Sequence, residues 1–144
     1  MNLFSFNEIT VNYSSKHLGP VIQSSRDAYN LMIPNWTDIE YCESFYAILL
    51  NRSNHVLGVS KISFGGLAGT VVDPKKIFQV ALKANAVGVI LAHNHPSGNV
   101  NPSKSDNDIT RKCVEGGKFL DIQVFDHIVV TRGGYFSFAD EGLI

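Results

Sequence analysis

The sequence predicts an α/β domain in which a mixed β-sheet is flanked by helices. Strand-like apolar runs alternate with amphipathic helical stretches, which is the order expected when helices cover a sheet. One run is apolar on both alternating faces, as a central strand covered on both sides would be. The chain has 144 residues, 44% of them hydrophobic and 17% charged. This composition and length are typical of one globular domain.

The first part of the chain predicts a helix and a pair of strands. Residues 1–20 read as an appended edge segment, so the domain proper is expected to occupy 21–144. Ser24 can cap a helix that Pro34 should end. Segments 45–50 and 55–64 are strand-like and are separated by a polar Asn-Arg-Ser-Asn turn, which predicts a hairpin.

The middle of the chain predicts a helix followed by the central strand. Asp73 and Pro74 are a favourable N-cap and first helical residue, and the apolar residues that follow recur with the period of a helix. The run 86–92, Ala-Val-Gly-Val-Ile-Leu-Ala, is apolar on both faces. It is the predicted centre of the sheet.

The last part of the chain predicts one more helix and two strands. A polar loop leads to a helix that can begin at Ser103 or Ser105, because either serine is followed three residues later by an aspartate that could complete a capping box. Gly116 and its neighbouring glycine should end this helix. Strand-like segments follow at 123–131 and 135–138.

The bulk properties exclude several classes of protein. Twelve Lys and Arg residues against 13 Asp and Glu give a net charge of -1, which provides no broad basic surface for a nucleic acid. The sequence shows neither a signal peptide nor an apolar run long enough to span a membrane, so a cytoplasmic protein is expected. Cys42 and Cys113 have no metal-binding spacing and are expected to be reduced, buried thiols.

The end of the central strand contains a candidate metal site. His93 and His95 are two residues apart on an extended chain, so their side chains point to the same face. Ligands of α/β proteins tend to bind beyond the carboxyl ends of strands. A catalytic zinc ion takes three protein ligands and one water, and two histidines with a carboxylate are an established set. Asp106, across a loop from His95, is the predicted third ligand.

The candidate site leaves some assignments open at this point. Asp106 could instead serve only as the capping residue of its helix, with Ser103 as N-cap. A general base is needed beside the metal, and both Glu43 and Glu40 lie close to the start of a predicted strand. The pair Asp126-His127 could support the metal site from behind, but a buried hydrogen-bonded pair at the start of a strand is the favoured interpretation.

The run 93–106 resembles a known family signature. Its sequence, His-Asn-His-Pro-Ser-Gly-Asn-Val-Asn-Pro-Ser-Lys-Ser-Asp, matches the JAMM metalloprotease pattern H-x-H-P, a spacer and S-x-x-D. A more specific pattern in this run is similar to the signature of the RadC family within the superfamily. It reads H-N-H-P-S-G, followed by three residues and then P-S-x-x-D. Further matches to RadC lie at 43–50, 69–71, 84–86, 126–130 and 135–138.

The resemblance covers residues 21–144 and implies both a fold and a site. It implies a cytidine-deaminase-like JAMM/MPN fold with zinc held by His93, His95 and Asp106. The glutamate base of the superfamily matches Glu43 rather than Glu40. The serine of S-x-x-D stabilises an oxyanion in the superfamily, so the resemblance assigns this role to Ser103, although capping would compete for the same hydroxyl.

The expected function is that of a zinc metallohydrolase that cleaves peptide or isopeptide bonds in a protein or peptide substrate. The sequence departs from the usual RadC pattern because the helical region with helix-hairpin-helix elements is not present in it. A DNA-associated role, as a repair-type protein or nuclease, is therefore an alternative that charge and sequence support less. Catalytically silent relatives of the superfamily suggest a scaffold as a further alternative, but every ligand position is kept here.

Overall fold

A five-stranded mixed sheet forms the centre of the computed structural model, which describes residues 17–65 and 71–144. The strands are β1 (Ser44–Leu50), β2 (Val56–Phe64), β3 (Gly88–Asn94), β4 (Gln123–Thr131) and β5 (Gly134–Ser137). Their order across the sheet is β2-β1-β3-β4-β5. Only β3 and β4 run parallel, and the other neighbours are antiparallel. The predicted mixed sheet is confirmed.

Helices cover both faces of the sheet. They are α1 (Ser25–Met32), α2 (Pro74–Lys83) and α3 (Lys104–Leu120), with a short 3-10 helix (Ile33–Asn35) after α1. The α/β class with flanking helices is therefore also confirmed. Residues 1–16 of the predicted edge segment lie outside the described residues.

Alternating side chains of the strands separate two apolar cores. On the face covered by α2 and α3, the core includes Ala47, Leu91 and Cys113. On the face covered by α1, it includes Ile48 and Ile90. The central strand β3 is buried along its whole length and contributes to both cores, as its two-sided apolar pattern predicts. The sheet therefore holds β3 rigidly, together with the polar residues at its end.

The helix α3 extends further than the sequence indicates. It passes through the glycine pair and ends at Leu120, with Asp121 in the left-handed conformation at φ 53°. Gly117 is needed for close packing rather than for termination, because a Cβ atom there would lie 2.2 Å from the backbone oxygen of Ile122. Glycine permits such close approach of two backbone segments. The tight turn brings the chain directly into β4.

No helix among the described residues is both long and apolar enough to cross a lipid bilayer.

The predicted caps of the first two helices are confirmed. Ser24 caps α1 and forms a reciprocal capping box with Asp27, and Asp73 caps α2 through the backbone N–H of Lys75. These hydrogen bonds satisfy backbone donors that the first turn of a helix otherwise leaves unpaired.

Candidate metal centre

Antiparallel pairing of β1 with β3 places the candidate site residues side by side. Phe45 near the start of β1 pairs with His93 near the end of β3. Glu43, just before β1, therefore lies beside His95, just after β3. His93 is 1% exposed and His95 is half-buried. The end of the central strand and the beginning of its neighbour thus form one polar corner of the molecule.

The first turn of α3 brings Asp106 to this corner. Its Oδ1 atom lies 3.2 Å from His93 Nε2, and its Oδ2 atom lies 3.2 Å from His95 Nε2. The two Nε2 atoms are 3.0 Å apart. Together with Glu43, these residues form a group whose ligand atoms all lie within 4.8 Å of one another. Within the described residues, this is the group of side chains suited to hold a metal ion.

Capping and metal binding are compatible roles for Asp106. Ser103 is the N-cap of α3, and its hydroxyl accepts a hydrogen bond from the Asp106 backbone N–H at 3.1 Å. In return, Asp106 Oδ2 accepts a hydrogen bond from the Ser103 backbone N–H at 2.7 Å. The capping box is therefore formed by Ser103 rather than by Ser105. It fixes the carboxylate so that both oxygens still face the histidines.

Both histidines present Nε2 to the carboxylate because their Nδ1 atoms are already engaged. His95 Nδ1 lies 2.7 Å from the carbonyl oxygen of Asn99. A carbonyl oxygen can only accept, so Nδ1 carries the hydrogen and Nε2 of the neutral ring carries a lone pair. His93 Nδ1 lies 2.7 Å from Nε2 of His127, which is fully buried behind it.

The electrostatics of the cluster favour a cation between these side chains. Burial disfavours the charged form of Asp106, but the hydrogen bonds that His93 and His95 donate when their Nε2 atoms are protonated outweigh burial and hold the pKa of Asp106 well below its ordinary value. The hydrogen bond to Asp106 in turn raises the pKa of His95, against the opposing effect of burial. The carboxylate is ionised, and either protons or a metal ion can neutralise it.

Glu43 is distinguished from its rival Glu40 by its position. Glu43 belongs to the cluster, whereas Glu40 accepts a hydrogen bond from Arg132 Nε at 3.1 Å on the surface. The backbone around Glu43 is held from both sides. Its carbonyl accepts a hydrogen bond from Gly65 N–H at 2.8 Å, and the next residue, Ser44, is fixed by Asn94.

Asn94, between the two histidines, binds the segment that carries Glu43. Its Oδ1 atom accepts a hydrogen bond from Ser44 N–H at 2.7 Å. Its Nδ2 atom donates to the carbonyls of Ile39 at 2.7 Å and Cys42 at 2.8 Å. The side chain is fully buried. Asn94 therefore joins the end of β3 to the segment that precedes β1.

We expect Asn94→Ala to lower the free energy of unfolding by about 3 kcal/mol. The substitution leaves three backbone groups without their partner, and an unsatisfied buried group costs about 1–3 kcal/mol. Urea unfolding of the metal-free protein measures the change. The exposed Asn101→Ala is the matched control and should change stability by less than about 0.5 kcal/mol. Equal stabilities of the two variants would contradict this role of Asn94.

The structure also brings in residues that the sequence did not identify clearly. Asp126 and His127 are both buried, and Asp126 Oδ1 accepts a hydrogen bond from the His127 backbone N–H at 2.7 Å, but the His127 ring contacts the candidate ligand His93 rather than Asp126. Thr110 contacts His127 from α3 and was not anticipated. A signal for Thr110 existed, because it lies four residues after Asp106 and hence on the same face of the helix.

Fold and site together define the class of protein: an α/β domain with a candidate metal centre at the end of its central strand. The family model for the RadC-like JAB domain matches residues 22–143. The chain belongs to the RadC-like JAB domain family. Domains of the JAB type often are metalloenzymes, in agreement with a His, His, Asp and Glu cluster at this position.

Curated relatives agree with this assignment. The chain is 43% identical over 122 residues to a UPF0758 protein of Flavobacterium johnsoniae, covering 85% of this chain and 53% of the relative. It is 42% identical over 119 residues to one of Symbiobacterium thermophilum, covering 83% and 50%. A Methanosarcina mazei UPF0758 protein is 40% identical over 123 residues, covering 85% and 53%. The chain thus spans about half the length of these relatives.

Proposed function

We propose that this domain is a zinc-dependent hydrolase that cleaves amide bonds in peptide or isopeptide substrates. The observation that carries the proposal is the convergence of His93 Nε2, His95 Nε2 and both Asp106 oxygens, with separations of 3.0–3.2 Å. Lone pairs at such distances repel one another unless shared hydrogens or a cation lie among them, and a metal ion can satisfy all three side chains at once. Metal binding by these three side chains accounts for their arrangement.

The donor set and its spacing suit zinc. Tetrahedral coordination with bonds of about 2.0–2.1 Å separates neighbouring ligand atoms by about 3.3 Å. The observed separations of 3.0–3.2 Å are close to this value. Three protein ligands would leave one coordination position for water, as in catalytic rather than structural zinc sites.

The proposed reaction divides the chemistry among the side chains. Bound zinc would supply Lewis acidity that makes a water molecule nucleophilic near neutral pH. Glu43 would accept a proton from that water and deliver it to the leaving amine. Ser103 could donate its hydroxyl hydrogen to the developing oxyanion, since capping uses only an oxygen lone pair of Ser103.

Two grooves beside the cluster support a polymeric substrate. One has a volume of about 260 Å³ and is lined in part by Glu43, Asp106 and Ile109. The other has a volume of about 600 Å³ and is lined in part by His95 and Tyr135. An extended peptide could occupy both grooves with one amide at the metal. The net charge of -1 offers less support for a nucleic-acid substrate.

Peptide profiling of the purified chain tests the proposed function. We expect zinc-loaded protein to cleave members of a peptide and isopeptide library. Chelator-treated protein should be inactive and should recover when zinc is restored. Zinc-dependent cleavage of DNA or RNA instead of peptides would overturn the substrate class. Stoichiometric zinc binding without hydrolysis of any library would favour a scaffold.

A further inference from the structure

A chain of three buried hydrogen bonds connects the candidate ligand His93 to the backbone of Asp106. His93 Nδ1 lies 2.7 Å from His127 Nε2, and His127 Nδ1 lies 2.5 Å from Thr110 Oγ1. Thr110 Oγ1 donates to the Asp106 carbonyl oxygen at 2.6 Å. His93, His127 and Thr110 are each no more than 2% exposed. These hydrogen bonds therefore link the strands β3 and β4 to the helix α3.

The donor and acceptor of each hydrogen bond in this chain follow from the number of hydrogens that each group carries. The carbonyl of Asp106 can only accept, and two oxygens 2.6 Å apart without a hydrogen between them would repel. The single hydroxyl hydrogen of Thr110 therefore points to Asp106, and Thr110 Oγ1 accepts from His127 Nδ1–H. His127 is fully buried, where an unpaired charge would be costly, and a neutral imidazole carries only one ring hydrogen, here on Nδ1. Its Nε2 atom consequently accepts from His93 Nδ1–H.

We propose that His127 and Thr110 are positioning residues that hold His93 in the tautomer whose Nε2 atom is free to bind metal. The inference rests on the proposed metal site. A reversed chain would place the hydrogen on His93 Nε2, where it would block metal binding. Hydrogen-bond partners that orient a metal-binding histidine typically contribute about 10–100-fold to metal affinity.

A purely structural role for His127 is the competing explanation. Its ring stacks on Phe138, with centroids 4.9 Å apart and planes inclined by 12°, and it also packs near Phe45. His127→Phe keeps an aromatic ring there but removes the acceptor for His93. His127→Gln can keep an acceptor and a donor. Thr110→Val keeps the branched shape but removes the hydroxyl.

Zinc titration against a chromophoric chelator distinguishes the two roles. We expect His127→Phe to bind zinc about 10–100-fold more weakly than wild type, and Thr110→Val about 10-fold more weakly. His127→Gln should recover most of the affinity. Circular dichroism of the chelator-treated variants identifies any that fail to fold. If His127→Phe does not fold, the zinc affinity of Thr110→Val relative to wild type tests the proposal.

The hydrogen positions can be observed directly. In zinc-loaded protein with 15N-labelled histidine, long-range proton–nitrogen spectra should show a hydrogen on Nδ1 of His127 and none on Nε2. A hydrogen on His127 Nε2 would overturn the proposal, as would wild-type zinc affinity in folded His127→Phe and Thr110→Val. Those results would leave the metal site intact. A wild-type protein that binds no zinc would instead overturn the proposed function and the positioning role together.

Discussion

We expect His95→Ala to remove most of the stabilisation of the folded protein by zinc. A ligand present at about 1,000 times its dissociation constant stabilises the native state by about 4 kcal/mol, which corresponds to a rise in melting temperature of about 10 °C for a domain of this size. Removing His95 deletes one of three proposed ligands. Since loss of a supporting residue behind a ligand costs about 10–100-fold in affinity, loss of the ligand itself should cost at least about 100-fold.

Differential scanning calorimetry with and without zinc measures this effect. His55→Ala is a matched control, because His55 lies away from the cluster and contacts the carbonyl of Gly19 at 3.0 Å. It should keep the full zinc-dependent shift. Asp106→Asn provides a second test, because it keeps an oxygen for the capping box but loses the charge. An undiminished zinc shift in both His95→Ala and Asp106→Asn would place the metal elsewhere.

The second large effect is expected from Glu43→Gln, which should lower kcat on a peptide identified by profiling by about 100- to 10,000-fold. The amide keeps the shape of the side chain but cannot accept and deliver a proton at neutral pH. Zinc affinity should stay within about 3-fold of wild type, because the three proposed protein ligands remain. Steady-state kinetics and zinc titration on the same preparation separate the two properties.

Two further glutamates make this experiment specific. Glu115→Gln changes an exposed residue of α3 outside the site and should leave kcat unchanged. Glu40→Gln tests the rival position that sequence spacing alone could not exclude. Loss of turnover in Glu40→Gln with normal turnover in Glu43→Gln would show that the base is assigned to the wrong residue.

The sequence predicted the elements of the fold better than their ends. The two-sided apolar pattern identified β3 as the central strand, because burial on both faces requires it. It did not show that β3 continues through His93 and Asn94. His93 belongs to the strand because it pairs with both β1 and β4, and Asn94 because it pairs with β4. The end of α3 was also missed. A glycine pair commonly marks a helix terminus, but here close packing against Ile122 needs Gly117 within the helix.

Local spacing predicted part of the site, and tertiary contacts determine the rest. His93 and His95 share a face because residues two apart on a strand do so. Nothing in the spacing itself separates Glu43 from Glu40, since the distinction depends on the antiparallel register between β1 and β3. Likewise, the role of His127 depends on the parallel register of β3 and β4, which lets its ring reach His93.

Anomalous X-ray diffraction at the zinc absorption edge, from crystals of the zinc-loaded protein, locates the metal ion itself. We expect one strong peak per chain, about 2.0–2.2 Å from His93 Nε2, His95 Nε2 and an oxygen of Asp106, with the Glu43 carboxylate facing the remaining coordination position. A peak bound to other residues, or no peak in protein loaded with excess zinc, would show that these side chains do not form the metal centre.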